Sequence, residues 1–315
     1  RRDAGKAASC AERHGAQRWY DSVEDLLADD EVDAVYIASP HHLHAQHVAL
    51  AAATGRPILC EKPMGASLEQ AEAIAQTCAD AEVSLTVAYY RRFWPIVREM
   101  KTLLDEGAIG RVVQTRIQLS DFFDGDPERP WRTSKEASGG GALCDAGSHW
   151  VDLTRFLLGD VAQVSAICSN RYAGFETEDT VQVNMEMAAG AFVSLLITLQ
   201  CPIATNEIDI AGTSIDVDAE WIVSRNPQVI LLSTNNMVGY DAHDPKNVTE
   251  YVNAFLQKPE LANVDAVKNK RCTLSHMLSS NAVELQGCCA LCTTPSGSIR
   301  ISLRMWMCRQ SIRST

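Results

Sequence analysis

Between residues 33 and 90 the chain alternates short apolar runs with longer stretches of helical spacing, and that alternation leaves few folds open. Residues 33–38 (Asp-Ala-Val-Tyr-Ile-Ala) read as a buried strand and residues 44–53 as an alanine-rich helix. A second strand is expected over 57–60, a helix over 68–79 with Ser67 at its N-cap, and a third strand over 84–88. A β-α-β-α-β order with short connections predicts a parallel, doubly wound sheet of the α/β class. Ligands of such sheets bind beyond the carboxyl ends of the strands. Ser39-Pro40 and Glu61-Lys62-Pro63 sit at those ends.

From Arg111 the pattern changes. Residues 112–119, 164–170, 181–187 and 191–199 are β-rich, mostly without intervening helices, and predict an α+β domain with an open, mainly antiparallel sheet. Residues 124–138 form a polar loop with two prolines and Trp131, long enough to carry function. The net charge of −12 argues against a nucleic-acid partner. No apolar run approaches the ~20 residues of a membrane span. The chain opens on Arg1-Arg2-Asp3 without a leader-like apolar run, and its 11 cysteines are scattered and odd in number. Reduced thiols in a cytoplasmic protein are the expectation.

The chemistry-bearing text is Gly139-Gly140-Gly141-Ala142-Leu143-Cys144-Asp145-Ala146-Gly147-Ser148-His149, read with Glu61-Lys62-Pro63 upstream. A spacing of four predicts that Asp145 and His149 share one face of a helix beginning near Gly147. Taken alone, Asp145 also reads as a helix cap, His149 as a packed interface residue and Lys62 as a solvated strand-end lysine. His41, His42, His44 and His47 invite a metal reading, but no neighbouring Cys, Asp or Glu completes a set, and no metal is expected. Cys289-x-x-Cys292 lacks the second half of a zinc site.

Together these motifs resemble the Gfo/Idh/MocA family of NAD(P)-dependent oxidoreductases, over roughly residues 1–212. The resemblance implies a Rossmann-like domain, a sheet domain carrying the substrate site and a homo-oligomer interface, and NAD or NADP as cofactor. It implies hydride transfer between the cofactor and a secondary alcohol of a sugar, cyclitol or related polyol. Lys62, Asp145 and His149 are then the catalytic residues: Lys62 stabilises alkoxide charge, Asp145 binds a substrate hydroxyl and tunes the histidine, and His149 takes the hydroxyl proton. Ser39, Pro40, His44, Glu61, Lys62 and Arg91 are the expected cofactor contacts, with a surface salt bridge as the alternative for Arg91. Trp131 and Arg132 are candidates to line the substrate pocket, with cover for the sheet as their alternative.

Both ends depart from the family's pattern. No G-x-G-x-x-G occurs before Asp33, so about one β-α-β unit, on the order of 30 residues, is expected to be missing and the Rossmann-like sheet to be truncated. Arg1 aligns near the family's ribose-reading position, where an arginine favours NADP. Residues 214–286, with Asn226-Pro227-Gln228-Val229-Ile230 and Ala266-Val267-Lys268-Asn269-Lys270-Arg271, resemble the second lobe of metal-chelate ABC-transporter binding proteins, an α/β half-lobe. The tail from Cys288 matches neither family. The expected organisation is therefore a partial dinucleotide-binding domain over 1–90, a substrate and oligomerisation domain over 91–212, a half-lobe over 213–287 and an unassigned tail over 288–315. The chain reads as a fragment and a chimera. Two other functions stand beside the dehydrogenase: an extracytoplasmic solute-binding protein for a metal chelate, and a non-catalytic sugar-sensing relative.

Overall fold

A computed structural model of the chain describes residues 3–213, 219–226, 230–232, 250, 253–254, 256–269, 272–274, 289–293 and 299–306. The chain divides into two compact units. One comprises residues 1–90, 123–149 and 169–180, the other residues 91–122, 150–168 and 181–315.

The first unit opens with two helices, α1 (Ala4–His14) and α2 (Val23–Leu27). Asp3 caps α1 by accepting from the Lys6 N–H, Ser22 caps α2 by accepting from the Asp25 N–H, and Gly15 ends α1 in the left-handed region at φ 66°. The alternation of residues 33–90 then appears as β1 (Val35–Ile37), α3 (His44–Ala52), β2 (Ile58–Cys60), α4 (Leu68–Asp80) and β3 (Leu85–Val87). The three strands pair in parallel in the order β1-β2-β3, in register from Val35↔Ile58 and Ile58↔Leu85. Ser67 caps α4 as the sequence implies, its hydroxyl accepting from the Gln70 N–H at 3.3 Å. The apolar stripe of each helix closes on the sheet: Val48, Ala51 and Ala52 of α3 and Ile74 and Cys78 of α4 join Leu27, Ile37, Ile58, Cys60 and Val83 in one core. Burial pushes the Cys60 thiol up to about 12, so it behaves as a small apolar side chain.

The second unit is built on α5 (Pro95–Asp105), β4 (Val112–Phe122), the helix α6 (Ser148–Leu158) from Trp150 onward, β5 (Val161–Ser169), β6 (Thr180–Met187), β7 (Phe192–Thr198) and β8 (Gln200–Gly212). Alternation runs the length of β6 and β7 and through parts of β4 and β8. Ile117 and Leu119, Val181, Val183, Met185 and Met187, Val193, Leu195 and Ile197, and Ile208 and Ile210 are buried. Val113, Val164, Ile167 and Phe192 are exposed. β4 pairs antiparallel with β8, as the expected mainly antiparallel sheet requires, and parallel with β7, which makes the sheet mixed at its centre. Alternation reports which face of a strand is buried, not the direction of its neighbour, so the sequence carries no signal for that pairing.

Beyond residue 213 the described pieces include α7 (Ala219–Arg225), β9 (Ile230–Leu232), α8 (Asp265–Lys268) and β10 (Cys272–Leu274). β9 and β10 pair in parallel, and Asn226 ties the end of α7 to α8 by accepting from the Asp265 N–H at 2.9 Å. Ile222, Leu261, Val264 and Ala266 are buried. Two strands of the tail, β11 (Cys289–Thr293) and β12 (Ile299–Trp306), form an antiparallel pair that extends the large sheet through β12 against β8, giving the order β11-β12-β8-β4-β7-β6-β5. Val248, Tyr251, Val252 and Phe255, whose spacing in the sequence is that of a helical core stripe, lie outside the described residues. Among the described residues no helix is long and apolar enough to cross a membrane.

Candidate active site

Lys62 follows β2 directly, at the carboxyl edge of the parallel sheet, and its peptide to Pro63 is cis. Its ammonium donates to the Asp145 carboxylate (Oδ1, 2.9 Å) and to the Asp145 backbone carbonyl (2.8 Å). The other carboxylate oxygen, Oδ2, accepts from Arg132. One carboxylate thus lies between two cations, with the lysine side chain 15% and the aspartate 32% exposed. Partial burial pushes the Asp145 carboxyl up, but the charges of Lys62 and Arg132 and their hydrogen bonds outweigh it and hold the group down at about 2. Asp145 is therefore an anion throughout the working range, and Lys62 is an ammonium held in one place by two acceptors.

The backbone that presents Asp145 departs from a plain helix start. Leu143–Gly147 form a π turn, and the α-helix begins only at Ser148. His149 lies on that α-helix as expected, whereas Asp145 belongs to the wider turn before it, a geometry that is often found at functional positions. The approach to the turn needs glycine. Gly139 has φ 79°, and a Cβ there would lie 2.1 Å from the Ala66 carbonyl oxygen. A Cβ on Gly141 would lie 1.9 Å from the Glu178 carbonyl oxygen. His149 is buried, with the rings of Tyr90 and Tyr89 edge-on at 5.1 and 6.1 Å between centroids.

The remaining candidates separate into distinct roles. His44 is fully buried. One ring nitrogen faces the carbonyls of Pro63 and Met64 at 3.1 and 3.2 Å, and the other faces the Ser39 carbonyl at 2.9 Å. It thereby ties the turn after β1 to the turn after β2. His47 bonds the Ser39 hydroxyl, His42 the Ala137 carbonyl and His41 the Ser138 carbonyl, and the His41 ring meets Trp131 edge-on at 4.8 Å. Pro40 precedes the short helical turn His41–Leu43. Glu61 accepts from the Tyr36 hydroxyl, which pushes that phenol up to about 12. Among the described residues no group of three or more His, Cys, Asp or Glu is arranged to hold a metal.

Arg91 falls in the second unit, its guanidinium 5.6 and 5.8 Å from the ring centroids of Trp94 and Trp150. Its neighbour Arg92 makes a salt bridge to Asp152. Trp131 covers His41 while Arg132 reaches Asp145 and lies over the Phe123 ring at 5.0 Å. The sequence reading did not single out Glu178 or the pairing of Arg132 with Asp145.

Two family models match the chain. The model of the oxidoreductase family's NAD-binding Rossmann fold covers residues 1–89, and that of the GFO/IDH/MocA C-terminal domain covers residues 97–216. Residues 1–89 and 97–216 belong to the Gfo/Idh/MocA oxidoreductase family. A levoglucosan dehydrogenase of Pseudarthrobacter phenanthrenivorans is 34% identical over 165 residues, 52% of this chain and 42% of that protein. A D-xylose 1-dehydrogenase [NADP(+)] of Haloarcula marismortui is 39% identical over 142 residues, 44% of this chain and 39% of that protein. Among solved structures, levoglucosan dehydrogenase in complex with NADH and levoglucosan superposes with a TM-score of 0.63 at 30% identity, over 67% of this chain and 60% of that one. The chain thus spans about half the length of the curated relatives it matches. Within this Gfo/Idh/MocA portion, the Lys62 ammonium lies at the carboxyl edge of the parallel sheet beside the Asp145 carboxylate, and Asp145 precedes His149 by four residues. The sequence holds no G-x-G-x-x-G of the kind that cradles a pyrophosphate.

Proposed function

We propose that this chain carries the hydride-transfer site of an NAD(P)-dependent dehydrogenase acting on a secondary alcohol of a sugar, cyclitol or related polyol. The observation that carries this reading is the Lys62–Asp145–Arg132 cluster, on a turn that continues into the helix of His149. When bound, the nicotinamide supplies the hydride acceptor. The protein's residues supply the rest. Lys62 holds the hydroxyl oxygen and stabilises the negative charge that grows on it as the C–H bond breaks. His149 accepts the hydroxyl proton, and returns it when a ketone is reduced. Asp145 keeps Lys62 in place and accepts a hydrogen bond from a neighbouring substrate hydroxyl. Ser39, Pro40 and Glu61 sit at the carboxyl edge to bind the cofactor, and His44 fixes the two turns that carry them. Arg91 and Trp131 are assigned as further contacts, to cofactor and substrate respectively.

The dehydrogenase names of the relatives support this substrate class. Assembly into a homo-oligomer through the large sheet is supported by the exposed apolar side chains of Val113, Val164 and Phe192. A cytoplasmic location is proposed on the scattered, odd-numbered cysteines. For residues 214–286 we keep a second reading, descent from a binding-protein half-lobe joined to the oxidoreductase text. The parallel pairing of β9 and β10 favours it, because these strands lie where the resembled text has its strands.

The test is turnover of a sugar and polyol panel with NAD+ and NADP+, read by absorbance of the reduced cofactor. Oxidation of at least one member, abolished in Lys62→Met and His149→Ala, is the expected result. Binding of both cofactor and sugar without any turnover sinks the hydride-transfer reading in favour of the sensing relative.

A further inference from the structure

The turn that carries Asp145 is held by a residue far along the chain. A helix start leaves about four backbone N–H groups without intrahelical partners, and a Ser, Thr, Asp or Asn just before the helix usually answers one of them. Here Ala142 stands at that position and offers no side-chain cap. Instead the N–H groups of three consecutive residues converge on Glu178. Its carboxylate accepts from Gly141 (Oε2, 2.9 Å) and from Leu143 (Oε1, 3.0 Å), and its backbone carbonyl accepts from Ala142 at 2.9 Å.

Glu178 is itself held on both sides. The carboxylate of the next residue, Asp179, is buried and accepts from the N–H groups of Tyr172 and Ala173 at 2.9 and 3.0 Å. The Asp179 N–H donates to the Ser169 carbonyl at 2.8 Å. At the other end, the Gly141 carbonyl accepts the N–H of Asp145 itself at 2.9 Å. Gly141 is therefore bonded on one side to Glu178 and on the other to Asp145. The Gly141–Glu178 approach is so close that no Cβ fits between them. Negative charge at this end of a helix is also favourable on electrostatic grounds.

We propose that Glu178 is the positioning residue of the site: its carboxylate sets the register of the π turn and thereby holds the Asp145 carboxylate against Lys62. The proposal rests on the reading of Lys62 and Asp145 given above. Glutamine at this position has nearly the same shape but offers one oxygen and one NH2 to two N–H donors. One hydrogen bond is lost, two donors face each other, and the turn must shift at Gly141 or Leu143.

The experiment measures acetylation of Lys62 by acetic anhydride in the full chain, quantified by mass spectrometry of the Lys62 peptide, beside the thermal midpoint of each variant. In Asp145→Asn the lysine loses its charged partner, and acetylation rises at least ~3-fold, the scale of one part-buried ion pair. Glu178→Gln is expected to raise it by a comparable factor at a midpoint close to that of the parent chain. If Asp145→Asn responds and Glu178→Gln does not, Glu178 supports the fold only and the proposal is overturned. If Asp145→Asn itself leaves Lys62 unchanged, the lysine–aspartate pair fails, and the proposal falls with it for that separate reason. Should Glu178→Gln not fold, hydrogen exchange of the parent chain decides. The amides of Gly141, Ala142 and Leu143 are expected to exchange together and as slowly as those of Tyr172 and Ala173. Exchange of any of the three at free-chain rates overturns the assignment.

Discussion

Two clusters of ionisable side chains lie in the parallel-sheet unit, and they use their hydrogen bonds differently. Around Asp145, charged side chains meet each other: Lys62 on one carboxylate oxygen, Arg132 on the other. Around residues 41–47, four imidazoles meet mainly backbone carbonyls: His41 on Ser138, His42 on Ala137 and His44 on Ser39, Pro63 and Met64, with His47 on the Ser39 hydroxyl. A side chain bonded to another mobile side chain can exchange partners with a ligand while the backbone stays put. A side chain bonded to carbonyls holds the chain's own turns and cannot leave without exposing them. This contrast assigns the segment richest in histidine to scaffold, and the chemistry proposed above to the sparser charged trio.

The largest effect expected from this contrast is at Lys62. Lys62→Met keeps the length of the side chain and removes the ammonium, and kcat is expected to fall about 10³-fold with little change in thermal midpoint. A smaller loss, with the midpoint falling sharply instead, breaks the assignment of this cluster to chemistry. Asp145→Asn is expected to lower kcat/KM about 10²-fold, since a neutral amide neither fixes Lys62 nor balances Arg132. It also has an acid signature. The folded carboxyl is held at about 2, below its usual value, so its contribution to stability is complete above the unfolded value near ~4 and is lost as pH falls from there through about 2. The parent chain is therefore expected to lose more stability than Asp145→Asn across that window, measured by urea unfolding at each pH.

The same contrast explains what the sequence made legible. Strands β1 to β3 and helices α3 and α4 follow from local rules: a period of apolar residues, a Ser67 cap, a short connection. Each of these is visible within a dozen residues. Lys62, Asp145 and His149 stood out through the family resemblance of the text around them, not through their spacing alone, and the structure brings Lys62 to Asp145. The placement of Asp145 in a π turn was not visible, because widening one helical turn leaves no trace in a four-residue spacing. Nor were the partners that refine the site. Arg132 joins Asp145 from 13 residues away and Glu178 joins Gly141 from 37 residues away, and neither contact has a periodic or compositional sign. Histidines bonded to backbone carbonyls are equally silent, so the spacing of His41, His42, His44 and His47 invites a metal reading in sequence but carries no sign of the carbonyls they meet. Helices α1 and α2 are explained by their Asp3 and Ser22 caps once seen, and α5 starts on Pro95 at its first position.

On the scaffold side the expected order of effects reverses, with stability moving and chemistry largely spared. His44→Ala removes a fully buried ring and leaves the carbonyls of Ser39 and of Pro63 and Met64 without the ring nitrogens that face them. A loss of about 3 kcal/mol is expected in urea unfolding, from the cavity and the unsatisfied carbonyls together. A change below ~0.5 kcal/mol, the usual range of surface substitutions, means that His44 is not the tie between the two turns.

His41 gives the smallest effect and the sharpest distinction in pH. Burial pushes its imidazole below the usual value of 6.5, against the pull of the Ser138 carbonyl and Asp145, while His44 and Lys62 act in the same direction as burial. A base whose folded value is lowered takes up protons more readily when unfolded. Its contribution is thus complete above about 6.5 and declines as pH falls through the folded value. His41→Phe keeps the ring against Trp131 but removes both the hydrogen bond to Ser138 and the titration. The variant is expected to be about 1 kcal/mol less stable than the parent at pH near ~8, with the gap closing below pH ~6 as the parent imidazole gains its proton. A gap that instead widens on acidification means that the protonated ring is the favoured form in the fold. His41 would then belong with the charged trio rather than with the scaffold, and the division drawn between the two clusters would have to move by one residue.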